Sequence, residues 1–551
     1  MMSGLAVADG SQREAEDGPA GSKSAPSGRW DARSMVPRVL LAVAAISVLF
    51  TALLGQARTT PVTGDGSAQA LQAWDMLHGN LLLHGWRMSD VSFYTTELPE
   101  YALVELVHGL NGDTTPIAAA LSYTLVVVLS VVAAVGRTRG RQAWIRGGVV
   151  AAALIAPSRG LATGLLLSSP DHIGTAVPLL AIYIVIDRGG SRRWVPYVVG
   201  AMLTWAAISD QIVIAAGSLP VLLVAGWRAV RPGSDRRFEV RMGVAAALSV
   251  PLSVLVVKLI AKLGGFTVAT PTHTFAELGD LSEHFSMTVK SVLALYSADF
   301  SNMAIGAAAA VAFFHLLAVA AAALGCRAAI RRFADPDDPD ARLEQVLVMT
   351  VGCVLAAYMF STLSNGHDAA WAREIAPVLP IGAVLGARYV GTRITEAAIP
   401  FPFRWAAAAM AGCVALSAGL LVAHATRPSR PADGADAAAY LQSHGLVNGL
   451  GGYWMSHSIT AVTGDRVKVR PVSGNGQTMR ILPGDWEAKP DWYRPDKSTA
   501  TFMVVDIRPG YEGYGTVDEA LATFGKAAQR LEFHDHVILV WDHNILNDFR
   551  R

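Results

Sequence analysis

The side chains able to do chemistry in this sequence stand in short polar turns between long apolar runs. Asp65 lies in a Gly-Asp-Gly turn, whose glycines let the backbone bring a carboxylate close to another group. Asp171 and His172 follow Pro170, and Glu97 and Glu100 flank Pro99. The stretch from Asn365 to Glu374 gathers His367, Asp368, Trp371, Arg373 and Glu374. Arg159 follows Pro157 within an otherwise apolar run, and Asp210 sits between Ser209 and Gln211. A hydroxyl is a poor nucleophile until a base removes its proton during attack, and a carboxylate at the edge of an apolar layer can be that base. A fixed guanidinium suits negative charge developing on a leaving group, through paired hydrogen bonds. An ionisable group inside an apolar run is costly unless it meets a partner or a water-filled cavity.

Each of these residues also has a structural alternative. Asp65 suits an Asx-turn or helix cap, Asp171 an N-cap, and Glu97 and Glu100 the start of a helix. Arg373 can pair with Glu374 or Asp368 at the surface, and Arg159 can snorkel to an interface. Asp75, beside Trp74 in a helical stretch, reads as solvent-facing. Tyr453 and Trp454 read as core aromatics or as a platform for a sugar face.

The elements that must position these groups follow from composition. The 551 residues are 52% hydrophobic and 16% charged, with mean hydropathy +0.37. Soluble domains carry about a quarter charged residues, so an ordinary soluble enzyme is excluded. Lys+Arg 45 against Asp+Glu 44 gives a net charge of +1, which offers no footing for nucleic acid. Cys326, Cys353 and Cys413 show no metal-binding or redox spacing. Residues 1–35 lack the apolar content to bury a core and read as a disordered tail.

About eleven apolar runs approach the roughly 20 residues that span a bilayer as a helix. They cover 36–56, 117–136, 147–167, 172–187, 194–208, 211–227, 242–261, 303–325, 346–363, 376–390 and 405–424. With the N-terminus inside, the inner loops collect Arg137, Arg139, Arg141 and Arg146, then Arg188, Arg192 and Arg193, then Arg228 to Arg241, Arg327 to Arg342, and Arg388 to Arg404. The outer loops are poor in cations, as retention of Lys and Arg in cytoplasmic loops requires. The expected topology is a plasma-membrane protein with a cytoplasmic N-terminus. The transmembrane domain runs over 36–426 with a long outer loop at 57–116, and an extracytoplasmic α/β domain covers 427–551. That last segment has strand-like runs at Val467 to Val472, Thr501 to Ile507 and His536 to Trp541, and helix-like stretches at Ala432 to Ser443 and Thr516 to Leu531. It contains no phosphate-cradling glycine motif. In the outer loop, Ser67 to His78 reads as an amphipathic helix lying along the membrane surface, and Pro99 to Leu110 as a second amphipathic piece.

At Asp65 and the following AQALQAWDMLHGN helix, the sequence resembles the GT-C class of membrane glycosyltransferases, which includes protein O-mannosyltransferases and aminoarabinose transferases. The resemblance implies an α-helical polytopic bundle with an outer domain. It also implies an inverting enzyme that moves a sugar from a polyprenyl-phosphate carrier to an envelope glycan, lipid or protein. The resemblance places Asp65 as general base and puts Asp171 and His172 in a turn that could assist it, bind the acceptor or coordinate a divalent ion; the residue chemistry adds Arg373 and Arg159 as candidates for the carrier phosphate, and His367 and Glu97 as further substrate-binding candidates. A divalent ion is a candidate cofactor, although neither Asp65 nor Asp171 carries a DxD or ExD spacing. The bacterial origin suggested by high Ala, Arg and Gly use fits this class. Two rivals stay open: a transporter or flippase of a lipid or small solute, and a non-catalytic envelope assembly protein.

Overall fold

The structure is a computed structural model that describes residues 32–270, 274–301, 303–334, 341–364, 369–396 and 403–550. The chain divides into two units meeting between Ala45 and Ile46. The first holds the start of helix α1 (Ala32–Ala57), and everything below concerns the second.

Three elements fill the connection between α1 and helix α4 (Thr114–Val135): helix α2 (Gly64–Leu77), strand β1 (Arg87–Met88) and helix α3 (Glu97–His108). Then come α5 (Gly140–Leu154), α6 (Leu161–Leu167), α7 (Ala176–Gly189), α8 (Val195–Ser209), α9 (Leu219–Ala229) and α10 (Arg236–Lys262). The bundle closes with strand β2 (Thr267–Val268) and helices α11 (Leu281–Leu295), α12 (Ala307–Arg331), α13 (Ala341–Met359), α14 (Val378–Glu396) and α15 (Phe403–Ala425). Each of the apolar runs falls on helix, and among the described residues six helices are long and apolar enough to cross a membrane. The chain is a multi-pass membrane protein. Helix α10 shows why: Val240, Val244, Leu248, Leu252, Leu255 and Leu259 share one exposed face, a stripe that lipid covers and water would not tolerate.

Three expectations need correction. The run 147–167 is not one helix: α5 stops at Leu154 and α6 starts at Leu161. Pro157 lacks the N–H that a continuing helix needs, and Gly160 has φ 85°. Arg159 therefore sits in an exposed break rather than inside a span. Second, α2 is packed inside the protein rather than presenting an open apolar face, since its residues from Gly66 to Ala73 are buried. The helix exposing an apolar face is α3, through Leu103, Leu106 and Val107. Third, the stretch Thr516 to Leu531 is split.

That split belongs to the C-terminal region, a six-stranded mixed sheet of order β5-β4-β3-β6-β8-β7. Its strands are β3 (Asn448–Gly452), β4 (Lys468–Asn475), β5 (Arg480–Pro483), β6 (Phe502–Asp506), β7 (Gln529–Phe533) and β8 (His536–Val540). Helix α16 (Ala435–Ser443) precedes it, α17 (Tyr453–Val462) crosses from β3 to parallel β4, and α18 (Val517–Phe524) ends where Gly525 adopts φ 78°. The region docks on the connection after α1. Ser458 Oγ is 3.0 Å from Ser67 Oγ, and the backbone of Ala488 pairs twice with Arg87, at 2.9 and 3.1 Å.

Close approach around α2 depends on small residues. A Cβ at Gly66 would lie 2.7 Å from Thr115 Cγ2 and 3.0 Å from Ser169 Cβ. Thr115 cannot turn aside cheaply, since it is buried, β-branched and donates its hydroxyl to the Gly66 carbonyl at 3.1 Å. Gly66→Ala is expected to destabilise the folded protein by about 1–3 kcal/mol through overpacking. Thermal unfolding in detergent checks this; an unchanged midpoint would show that α2 has room to move.

Candidate functional site

Asp65 enters the site from the first turn of α2, not from a free turn. Its two oxygens face different partners. Arg373 donates through Nη1 to Oδ2 at 3.0 Å, and the Tyr453 hydroxyl lies 2.7 Å from Oδ1. The same phenol is 2.7 Å from Glu487 Oε2. A phenol has one hydrogen to give, so one of the two carboxyl groups must be the donor. Burial, and then the nearby Asp65 charge, push Glu487 well above the ordinary carboxylate range. Tyr453 thus links the Asp65 and Glu487 carboxyl groups through its single hydroxyl. The short segment carrying Glu487 is held by the Arg87 backbone pairing and by Lys489, whose ammonium is 2.6 Å from Asp75. Asp75 is thus tied down rather than free in solvent, and Asn80 and the Trp86 indole also donate to it, at 2.6 and 2.8 Å.

Asp171 faces Asp65 across the same guanidinium, with Oδ2 4.0 Å from Arg373 Nη1. Gln69 from α2 donates to one oxygen and Ser169 to the other, the latter at 2.7 Å. Burial and the Asp65 charge raise the Asp171 pKa despite Arg373. Burial disfavours the Arg373 cation, but Asp65, Asp171 and Glu374 outweigh it and keep it charged. Its buried Nε has no hydrogen-bond acceptor and lies 3.9 Å from Glu374 Oε1.

His172 holds φ 54°, a conformation an L side chain adopts only where its surroundings fix it. The ring lies between two carboxylates, Nδ1 3.0 Å from Asp210 and Nε2 3.2 Å from Glu374. Burial works against the charged ring, yet Glu374 and Asp210 prevail and lift its pKa well above the usual histidine value. Both partners stay below the carboxylate range for the reciprocal reason. This imidazolium cross-links the turns before α7, after α8 and before α14. Glu97 lies behind it, receiving hydrogen bonds from Thr96 and, more weakly, Thr175 and Ser209.

Two cavities meet at this cluster. The larger, about 640 Å³, is lined by Arg159, Arg430, Arg373 and the apolar Leu161 and Leu165. The smaller, about 120 Å³, is lined by Asp90, Trp371, Trp486, Glu487 and His172. Asp65, Asp171 and Arg373 border both. Asp65, Asp171, His172, Arg373, Glu97, Asp210, Glu374 and Trp371, all singled out from sequence, therefore share one neighbourhood, with Arg159 across the larger cavity. His367 lies outside the described residues. Sequence reasoning missed Gln69, Glu487, Trp486 and Arg430, and placed Tyr453 in a core or on a sugar rather than on Asp65. The residues do not suit a divalent ion in its usual carboxylate cage: a guanidinium already bridges Asp65 and Asp171, and among the described residues no three His, Cys, Asp or Glu side chains converge as metal ligands.

No family model matches the chain, and no curated protein is similar to it in sequence. Its fold is that of the GT-C membrane glycosyltransferases. The crystal structure of ArnT from Cupriavidus metallidurans bound to undecaprenyl phosphate is similar with a TM-score of 0.54 and 15% identity, over 92% of this chain and 98% of ArnT. The apo state of the same protein gives 0.53 and 14%, over the same shares. The Archaeoglobus fulgidus oligosaccharyltransferase, in complex with Zn and sulfate, is also similar, with a TM-score of 0.48 and 12% identity over 83% of this chain and 67% of that one.

The cluster sets a pH dependence. Burial, only partly offset by the Thr96 hydroxyl, pushes Glu97 up to about 8 from its ordinary 4.5. A carboxyl raised on folding contributes stability that is full below the unfolded value and lost as pH rises through the folded one. The midpoint of thermal unfolding is expected to fall between about pH 5 and pH 8, and Glu97→Gln, neutral at every pH, to flatten that fall. A Glu97→Gln profile parallel to wild type would show that Glu97 is already ionised when folded.

Proposed function

We propose that this protein transfers a sugar from a polyprenyl-phosphate carrier to a hydroxyl-bearing envelope acceptor, on the extracytoplasmic side of a bacterial plasma membrane. The observation that carries the reading is the position of Asp65 and Arg373 between two cavities of different character. The larger joins cations to apolar side chains, as a phosphate esterified to an isoprenoid chain requires. The smaller presents Trp371 and Trp486, rings suited to a sugar face, beside carboxyl groups that accept hydroxyl hydrogen bonds. Support comes also from the shared fold with ArnT, whose structure holds undecaprenyl phosphate.

On this reading Arg159, Arg430 and Arg373 hold the carrier phosphate. The acceptor hydroxyl attacks the anomeric carbon from the face opposite the phosphate. The new carbon–oxygen bond forms as the bond to the phosphate oxygen breaks, the hydroxyl proton passes to Asp65, and polyprenyl phosphate leaves with the bonding pair. Arg373 stabilises the charge arriving on that oxygen. Tyr453, hydrogen-bonded to both Asp65 and Glu487, steers Asp65; Asp171 and Gln69 line the wall beside it. The outer placement rests on the charge pattern, since the arginine-rich loops lie at the other ends of α12 and α14. We propose the matching domain division, a transmembrane domain up to residue 426 that opens with α1 at Ala32 rather than at 36, and an outer domain over 427–551 that lends Tyr453 and Glu487 to the site.

Membranes carrying the protein, supplied with radiolabelled polyprenyl-phosphate sugars, are expected to move label into an envelope fraction. Asp65→Asn should lower the rate about 10²- to 10⁴-fold, the range for loss of a general base, while the carrier still binds. Full transfer by Asp65→Asn would remove the base assignment; solute uptake without label transfer would favour a transporter. In the same assay, Arg159→Ala with Arg430→Ala should raise the carrier KM more than it lowers kcat. A pure kcat loss would place the phosphate elsewhere.

A further inference from the structure

The end of the bundle away from Asp65 holds a second cavity-bound cluster of charge. Helix α14 begins four residues after Glu374 and carries the chain about 20 Å to Arg388, Arg393 and Glu396. There it meets the end of α12, and the two line a cavity of about 460 Å³ with Arg327, Arg331, Arg332 and Glu344. Some of this charge is neutralised: Arg388 pairs with Asp187 at 3.1 Å and Arg332 with Glu344 at 3.3 Å. Arg327 and Arg331 are exposed and have no carboxylate partner among the described residues, and Arg393 lies only over the Tyr389 ring, 5.6 Å from its centroid. The cavity therefore keeps a net positive charge.

Helix geometry says what should neutralise it. Phe313, Leu317 and Leu324 are exposed on α12 at 68%, 63% and 43%. At 100° per residue they share one face, and that face continues into Arg327 and Arg331. An apolar stripe ending in two unpaired guanidinium groups is complementary to an acyl chain ending in a phosphate. We propose that this end of the protein binds an anionic membrane phospholipid, its headgroup on Arg327, Arg331 and Arg393 and its chain along the α12 stripe. Pockets of this kind between membrane helices favour anionic headgroups, and the site is separate from the one assigned to the carrier. A competing occupant exists in the sequence: Asp335, Asp337, Asp338 and Asp340 follow directly and lie outside the described residues.

The test uses the purified full chain in detergent, titrated with phosphatidylglycerol, phosphatidylcholine or inorganic phosphate. Retained lipid is counted by native mass spectrometry, and thermal unfolding is followed in parallel. Phosphatidylglycerol should be retained and should raise the unfolding midpoint, whereas phosphatidylcholine should not. Arg327→Glu with Arg331→Glu should weaken phosphatidylglycerol binding by more than the roughly fivefold per arginine expected from neutralisation alone, without changing the midpoint in phosphatidylcholine. If charge reversal prevents folding, Arg327→Gln with Arg331→Gln serves the same purpose with a smaller loss. Equal retention of the two lipids, or undiminished binding by the variants, overturns the proposal. Protection by inorganic phosphate alone would assign the pocket to a free anion instead. Binding that appears only after the four aspartates are changed to Asn would show that the chain fills the pocket itself.

Discussion

Placing more acid than base in a buried space is the constraint around which the site is built. Asp65, Asp171, Asp210, Glu97, Glu374 and Glu487 crowd around two cations, Arg373 and His172. So many negative charges cannot all persist away from water, and an uncompensated buried ion costs several kcal/mol. The structure resolves this by division. His172 takes Asp210 and Glu374, which remain ionised around it, whereas Arg373 serves Asp65 and Asp171. Burial lifts Glu97 and Glu487 above the ordinary carboxylate range, which favours their neutral forms.

That division explains why distant parts of the chain must meet. Arg373 and Glu374 are neighbours in sequence, so one turn before α14 reaches both halves of the acid cluster. His172 and Asp171, also neighbours, do the same from the turn before α7. Each adjacent pair thus ties one ion pair of the rigid half to one of the half facing the cavities. The strained φ of His172 follows from this geometry: its neighbour points toward Arg373 while its own ring must lie between Asp210 and Glu374. The C-terminal region then closes the remaining side by bringing Tyr453 from the start of α17 and Glu487 from a loop clipped to β1.

Much of this was legible in the sequence, and the boundary has physical causes. Long apolar runs report burial or lipid contact directly, so the helices of the bundle could be read, as could Asp65, Asp171, His172 and Arg373 from polar turns between them. The break at Pro157 was visible as a proline yet was read through, because the residues on both sides are apolar. Strand β3 was invisible: Asn-Gly-Leu-Gly-Gly looks like a loop, but a Cβ at Gly449 would run into the Phe502 ring at 2.3 Å, so packing demands a residue with low strand preference. The end of α18 was overrun since nothing in Ala527 to Leu531 distinguishes an edge strand from a helical turn. Glu487 carried no signal at all. Its role arises from which carboxylates surround it, and those are hundreds of residues away.

The two ends of the bundle answer the same problem in opposite ways. At the Asp65 end negative charge is the surplus, and cations are rationed among named partners, so a phosphate entering there must draw on Arg373. On the proposed function, that phosphate would compete with Asp65 for the guanidinium that now pairs with it at 3.0 Å, and would free the carboxylate to accept a proton. Carrier binding would thereby ready the base, with Tyr453 alone keeping it aimed. At the far end the surplus is positive and no acid of the described residues meets Arg327 or Arg331. A phosphate there has nothing to displace, and it would act as a counter-ion rather than a reactant. On the two proposals, the same chemical group would be a substrate where arginine is shared with carboxylates and a counter-ion where none of the described acids meets it.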